Sequence, residues 1–402
     1  MQMKRHVNRE LIAVITVLGV GSLAMAIPGP ILPLYLTSIG ITPAVLGLIQ
    51  SVIMVGMVIG EPSMGWLADR IGMKIPLSIG TFFCGLAILS FVFSHDIVAI
   101  FFISVFWGFT RSAIFGPGRG YIGMSAPPLK RATFMAFLSV IMAASRTLGA
   151  LPGGFVADTL GYEWVFIIAA AISGVGGLVV VLFLKKPKQV RLEPEGSDFP
   201  SAGSPPEGKI KIIRVLFAQG LVAVFFFLAL GIMFTFLPLL ATEVVGVSAT
   251  QVGIIFTISG LVSMALSVPM AMLADRKGKK LLMMGGLLMS SAAMAGLAYA
   301  QSFLWLIGFI SVFGAGMAMF EPASLGLISS LVPAQRLSTA MGIYGGVFEN
   351  SGIIAGSALA GFVWSTWGPE ATFLVGTVTG GLGMLVCLLF VKERRIPSAQ
   401  FA

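Results

Sequence analysis

The chain has 402 residues, of which 57% are hydrophobic and only 10% charged, and its mean hydropathy is +1.00. No soluble domain could bury that much apolar surface, and the apolar runs are long enough to cross a bilayer, about 20 residues each. The net charge of +9 would suit a nucleic-acid partner, but the placement of the basic residues excludes one.

The basic N-terminus leads into an apolar run over 11–36. That run is too long for a signal-peptide core and lacks a clear small-residue cleavage site, so it is read as the first span. Eleven more spans follow near 43–68, 74–94, 97–122, 132–157, 163–184, 214–240, 248–274, 280–300, 303–327, 337–363 and 369–391. Between the sixth and seventh lies 185–213, rich in Pro, Gly, Ser and charge, which reads as a flexible polar linker with a short helix at its basic end. The expected organisation is a six-helix bundle over 1–184, the linker over 185–213 and a second bundle over 214–402.

Basic residues test this topology. Apart from Arg111, Arg119 and Arg146, every Lys and Arg falls in the N-terminus, the linker, the C-terminus or the loops after spans two, four, eight and ten. The other loops carry Asp96, Asp158, Glu163, Glu243 and Glu370 at or near their ends, and no base. The positive-inside rule then places both termini in the cytoplasm. Cys84 and Cys387 both fall inside apolar spans, where two isolated thiols make neither a disulfide framework nor a metal site.

The loop after span two reads Gly65-Trp66-Leu67-Ala68-Asp69-Arg70-Ile71-Gly72-Met73-Lys74. A second copy after span eight reads Ala271-Met272-Leu273-Ala274-Asp275-Arg276-Lys277-Gly278-Lys279-Lys280, with Asp69 and Asp275 206 positions apart. The repeat continues through Gly116-Pro117 and Glu321-Pro322 in spans four and ten. Two copies half a chain apart indicate a duplicated membrane protein. The pattern resembles the loop signature of the major facilitator superfamily, Gly-x-Leu-Ala-Asp-Arg-x-Gly-Arg-Lys, with Met73 in place of the usual Arg and Ala271 in place of the leading Gly. The resemblance implies an all-α membrane protein of twelve transmembrane helices in two pseudo-symmetric six-helix bundles. Spans 1, 4, 7 and 10 are then expected to line a cavity, with 2, 5, 8 and 11 between the halves. The length, short loops and Pro-rich first span are most similar to the drug:proton antiporter branch. Gly149-Ala150-Leu151-Pro152-Gly153-Gly154 resembles that branch's Gly-Pro-x-x-Gly-Gly signature with the Pro displaced.

No constellation for catalysis appears, so no enzyme and no cofactor are expected. His6 and His95 are poorly placed as bases, and no Gly-x-x-x-x-Gly-Lys-Ser/Thr stretch is present for ATP. The informative residues are charges inside spans, each costing roughly 2.5–3.5 kcal/mol on insertion scales, which must face a cavity or one another. These are Glu61, Arg111, Arg119, Arg146, Glu321 and Glu349. Substrate binding is expected at Arg111, Arg146 and Glu321, and proton coupling at Glu321, Glu349 and Glu61. Arg119 and Glu61 could instead form a structural pair, and Glu349 could gate against Arg146. In the family, span four often carries an Arg in Arg-x-x-x-Gly; aligning Gly108 puts Ser104 there, so Arg111 does not inherit the proton-relay role. Gly65, Asp69, Arg70, Gly72, Asp275 and Arg276 form the expected conformational switch. Asp69 should lie near the start of span eleven (337–339) and Asp275 near that of span five (132–133), each drawn by a helix N-terminus.

The reading is a monomeric secondary transporter of the plasma membrane that works by alternating access, with a small-molecule substrate, protons and the lipid bilayer as partners and no nucleic acid. Proton-coupled export of amphipathic or drug-like compounds leads. Transport of an organic anion is the alternative, and a lipid scramblase or a transport-dead sensor represents a different class.

Overall fold

A computed structural model describes residues 15–72, 74–125, 131–183, 206–331 and 341–391. The side chains of Asp69, 115–125, 131–139, 183, 206–216 and 331 lie outside the described set. Among the described residues, ten helices are long and apolar enough to cross a membrane. The last of them covers 50 residues, Met341–Phe390, about 75 Å of helix and twice what a bilayer needs. It is two spans joined at a kink, where Gly368 has φ 86° and ψ −178° and Pro369 follows. The first span is also broken: Ile15–Ala26 and Leu32–Ser38 flank the Pro28-Gly29-Pro30 turn, where two prolines withhold amide donors. Counting both cases, the chain has twelve spans in two six-helix bundles. The fold is the one implied by the sequence.

Spans two to six run Pro43–Ile71, Lys74–Phe93, Ile97–Ser125, Arg131–Leu160 and Tyr162–Phe183. Span seven runs Pro206–Leu239 and closes in a π turn, Leu240–Val244, so its helix starts eight residues before the expected 214. Spans eight to ten are Ala249–Lys277, Lys279–Ala298 and Phe303–Leu331. Span eleven, described from Met341, contains a wide π segment, Tyr344–Glu349, ahead of Asn350–Phe390.

The duplication shows in backbone and side chains alike. Gly72 (φ 85°) and Gly278 (φ 107°) turn the chain after spans two and eight, as only Gly does without strain. Just past those turns, Lys74 Nζ donates to Val181 O at 2.9 Å and Lys280 Nζ to Leu388 O at 2.8 Å. Each lysine thus tends the C-terminal carbonyls of its bundle's last span, where a cation is favoured.

The two halves meet along spans two and eleven and along spans five and eight. Glycines let these backbones touch. A methyl on Gly253 would lie 2.5 Å from Ala150 O and one on Gly361 2.7 Å from Pro43 O, while Gly47 abuts Ser357 O and Gly154 abuts Ala249 O. Polar ties reinforce the seams: Ser51 Oγ donates to Ile354 O at 2.8 Å and Thr257 Oγ1 to Thr147 O at 3.0 Å. All these contacts lie in the membrane half remote from the signature loops. Near the loops, Gly65 and Gly342 have nothing within reach of an added methyl. Among the described residues, the contacts between the halves therefore gather at the end remote from the signature loops.

Candidate functional site

Span four presents Ser104, Trp107 and Arg111 at helical spacing on one face. The Arg111 guanidinium carbon lies 5.4 Å from the centre of the Trp107 ring, a cation–π arrangement that orients it. Ser104 Oγ, Trp107 Nε1 and Arg111 Nε are buried, and none has a hydrogen-bond partner among the described residues. Arg146 of span five is exposed between the halves and lies within electrostatic reach of Arg111. Neither arginine has a hydrogen bond or ion pair among the described residues. The N-terminal bundle therefore carries two positive charges with no ion pair among the described residues, and Trp107 beside them packs edge-on against Phe91 of span three at 5.7 Å.

In the C-terminal bundle, spans seven, ten and eleven bring together a second buried polar group. Gln219, Ser324 and Tyr344 are buried at 1%, 0% and 3% exposure. Gln219 Nε2 donates to Ser324 Oγ at 2.6 Å, and Ser324 Oγ shares a hydrogen bond with the Tyr344 hydroxyl. Gln219 Oε1 is buried with no partner among the described residues. Glu321 sits one turn before Ser324, half-buried, and within electrostatic reach of both Arg146 and Tyr344. It too has no hydrogen bond or ion pair among the described residues.

The π segment gathers the other two acids. A methyl on Gly345 would lie 3.5 Å from Glu349 Oε2, so that carboxylate folds back beside Tyr344. A methyl on Gly346 would lie 3.8 Å from Glu61 Oε2, which reaches across from span two. A π turn widens the helix and is a common feature of functional sites; here Gly345 and Gly346 leave room for two carboxylates. Glu61, Glu321 and Glu349, chosen from sequence because they are charges inside spans, thus surround one segment of span eleven. Arg111 and Arg146, chosen on the same ground, lie in spans four and five of the N-terminal bundle. Arg119 and Asp69 fall among side chains outside the described residues, as does the helix start expected to meet Asp69; the side chains at the start of span five, expected to meet Asp275, are also outside. Asp275, Arg70 and Arg276 are exposed at the end that carries the signature loops, and Arg70 stacks 4.1 Å above Trp66.

These features match a known family. The model of the Major Facilitator Superfamily fits residues 14–248 and 223–401. The chain belongs to the major facilitator superfamily. An uncharacterized MFS-type transporter of Methanocaldococcus jannaschii is 23% identical over 359 residues, 87% of this chain and 88% of that protein. The quinolone resistance protein NorA of Staphylococcus aureus is 26% identical over 160 residues, which cover 40% of this chain and 41% of NorA. Among solved structures, a point mutant of the nucleoside transporter NupG has TM-score 0.80 at 15% identity, covering 95% of this chain and all of that one. A bacterial homolog of the human lysosomal transporter Spinster, inward-facing and unoccupied, has TM-score 0.79 at 13% identity, covering 98% and 99%. The protein is an MFS transporter and an integral membrane protein.

Sequence reasoning passed over four residues that the fold makes prominent. Gln219, Ser324 and Tyr344 are polar but uncharged, and a search for charges inside spans does not select them. Asp158 was read as a loop-end acid. It caps span eight across the seam: Oδ1 accepts from Ala249 N at 3.0 Å and Oδ2 from Thr250 N at 2.7 Å. A scan for polar side chains in spans would have found the first three, whereas the partner of Asp158 is legible only in three dimensions.

Proposed function

We propose that this MFS protein is a proton-coupled exporter of small amphipathic or drug-like compounds, working by alternating access. The observation that carries the reading is the gathering of Glu61, Glu321 and Glu349 around one π segment between the halves. A carboxylate there meets water while its end is open and loses it when the end closes, so its proton affinity changes with the conformation, as coupling requires. Substrate is held at Arg111, Arg146 and Glu321, and protons at Glu321, Glu349 and Glu61. The bundles are 1–184 and 214–402, joined by 185–213, and the chain works as a monomer in the plasma membrane. With both termini and both signature loops in the cytoplasm, the open end faces inward, the state that loads an exporter. Asp69, Arg70, Asp275 and Arg276 act in closing that end, and Gly65 and Gly72 shape the loop. The partial likeness to a quinolone resistance protein supports the drug reading.

The test is uptake into proteoliposomes of a fluoroquinolone probe with and without an imposed pH gradient. Gradient-driven accumulation is expected, and at least one of Glu321→Gln and Glu349→Gln should abolish it while sparing downhill exchange. Full gradient-driven transport by the double variant would move coupling to Glu61 or remove it. Arg111 and Arg146, two cations without a described counter-ion, favour transport of an organic anion as the second reading; charge-dependent uptake without a pH requirement would select it. Equilibration of lipid alone would select a scramblase.

A further inference from the structure

Spans two and three both pack along span four and meet each other far less. The space between them is a groove of about 240 Å³. Met64 and Leu67 form one wall, Ile79 and Phe83 the other, and Phe106 and Phe109 the floor. A methyl on Gly80 would strike the Ala113 side chain, so span three lies tight on span four and the floor is fixed. Thr110, also in the lining, donates its hydroxyl to Trp107 O at 2.9 Å. With that hydroxyl satisfied, the groove presents almost only apolar surface. It opens away from the bundle: Ile79, Phe83 and Phe106 are exposed, as are Phe82 and Phe102 on the same helices. In a membrane protein such a surface meets acyl chains.

One end of the groove carries a cation. Arg70 follows Leu67 by three residues and Trp66 by four, on the same side of span two's last turns. Its guanidinium is stacked 4.1 Å from the Trp66 ring, and both side chains are exposed. Trp66 lines a second depression that shares Met64 and Leu67 with the groove, so the stacked pair stands at the groove's mouth. Trp and Arg are both suited to the level where headgroups meet hydrocarbon. Lys74, across the turn, is engaged by Val181 O, whereas Arg70 has no ion pair among the described residues.

An apolar slot with a guanidinium at its mouth complements a molecule with a hydrocarbon chain and an anionic head. A guanidinium takes a phosphate through two N–H donors at once. A zwitterionic head would bring its own ammonium beside Arg70 and Lys74, whereas an anionic head brings only negative charge. We propose that the groove is a binding site for an anionic phospholipid, with one acyl chain between spans two and three and the phosphate on Arg70. The site lies on the outside of one bundle, apart from the residues assigned above to substrate and protons, and requires neither proton coupling nor a particular substrate.

The test is native mass spectrometry of the delipidated full-length protein in detergent, without substrate or pH gradient. It is titrated with dioleoyl phosphatidylglycerol or dioleoyl phosphatidylcholine. The first phosphatidylglycerol should bind roughly fivefold more tightly than the first phosphatidylcholine, the factor that one basic residue contributes at an anionic surface. Arg70→Ala should erase that preference, and Arg70→Lys should retain part of it. Arg276→Ala, at the exposed equivalent in the second signature loop, should leave it intact. A phosphatidylglycerol with a diazirine in one acyl chain should cross-link to spans two, three and four, with competition by unlabelled phosphatidylglycerol and not by phosphatidylcholine. Equal binding of the two lipids, a preference that survives Arg70→Ala or is equally lost in Arg276→Ala, or cross-links spread over all spans overturns the inference. Loss of gradient-driven transport would leave it standing, and loss of lipid preference would leave the coupling reading standing.

Discussion

Asp158 makes the strongest described polar tie across the closed end, and its removal should open that end. The first amides of span eight, Ala249 N and Thr250 N, have no intrahelical acceptor. Ser248 caps the third, accepting from Gln251 N at 3.3 Å, and Asp158 of the other half takes the first two at 3.0 and 2.7 Å. Loss of a capping side chain costs about 0.5–2 kcal/mol, and the carboxylate's charge at a helix N-terminus adds about 0.3–1 kcal/mol. The contact exists only while the halves are closed at this end, so its loss acts directly on the conformational equilibrium. A change of about 1–2 kcal/mol shifts that equilibrium roughly 5- to 30-fold. The assay is maleimide labelling of Ser51→Cys, a buried seam position whose hydroxyl donates to Ile354 O; the native Cys84 and Cys387 are buried. Asp158→Ala should raise the labelling rate by that factor, and Asp158→Asn, which keeps one acceptor oxygen, by less. Asp96→Asn is the control, because Asp96 accepts from Ala99 N of its own helix at 2.9 Å and spans no seam. Labelling unchanged by Asp158→Ala, or raised equally by Asp96→Asn, would refute the reasoning.

Gly253→Ala should open the same end, since its methyl would sit 2.5 Å from the Ala150 carbonyl, whereas Gly65→Ala, with nothing within 4 Å, should label like the parent. Tyr344→Phe should lower thermal stability by about 1 kcal/mol through loss of the bond to Ser324, and a melting curve identical to the parent would show that the Gln219–Ser324–Tyr344 chain does not hold span eleven. Asp275→Asn should leave ligand affinity in the open state unchanged and slow turnover, because Asp275 is expected to act only when its end closes; normal turnover under matched expression would remove it from the switch. Lys280→Ala and Lys74→Ala should each lower the melting temperature slightly and to a similar extent, as equivalent ties to Leu388 O and Val181 O; a large difference between them would break the symmetry argument.

Hydropathy alone determined that the chain crosses a membrane, because twelve apolar runs of bilayer length leave few alternatives. The duplicated Asp-Arg loops, with Gly72 and Gly278 at the turns, fixed the two-bundle repeat, since the 206-residue spacing is written in the chain. The expense of charge in lipid selected Arg111, Arg119, Arg146, Glu61, Glu321 and Glu349; Arg119 lies outside the described side chains, and the three acids gather around the π segment. The tertiary structure decided what those charges meet. Arg146 comes within electrostatic reach of Glu321 through the packing of separate bundles, which no local pattern encodes. Tyr344, in the π segment of span eleven, meets Ser324 of span ten, and Gln219 meets it because span seven packs against span ten. Asp158 gains its role only where span eight begins beside it, 91 residues along the chain. Span membership follows from solvation, a property of each segment by itself, whereas partnership follows from how the segments pack.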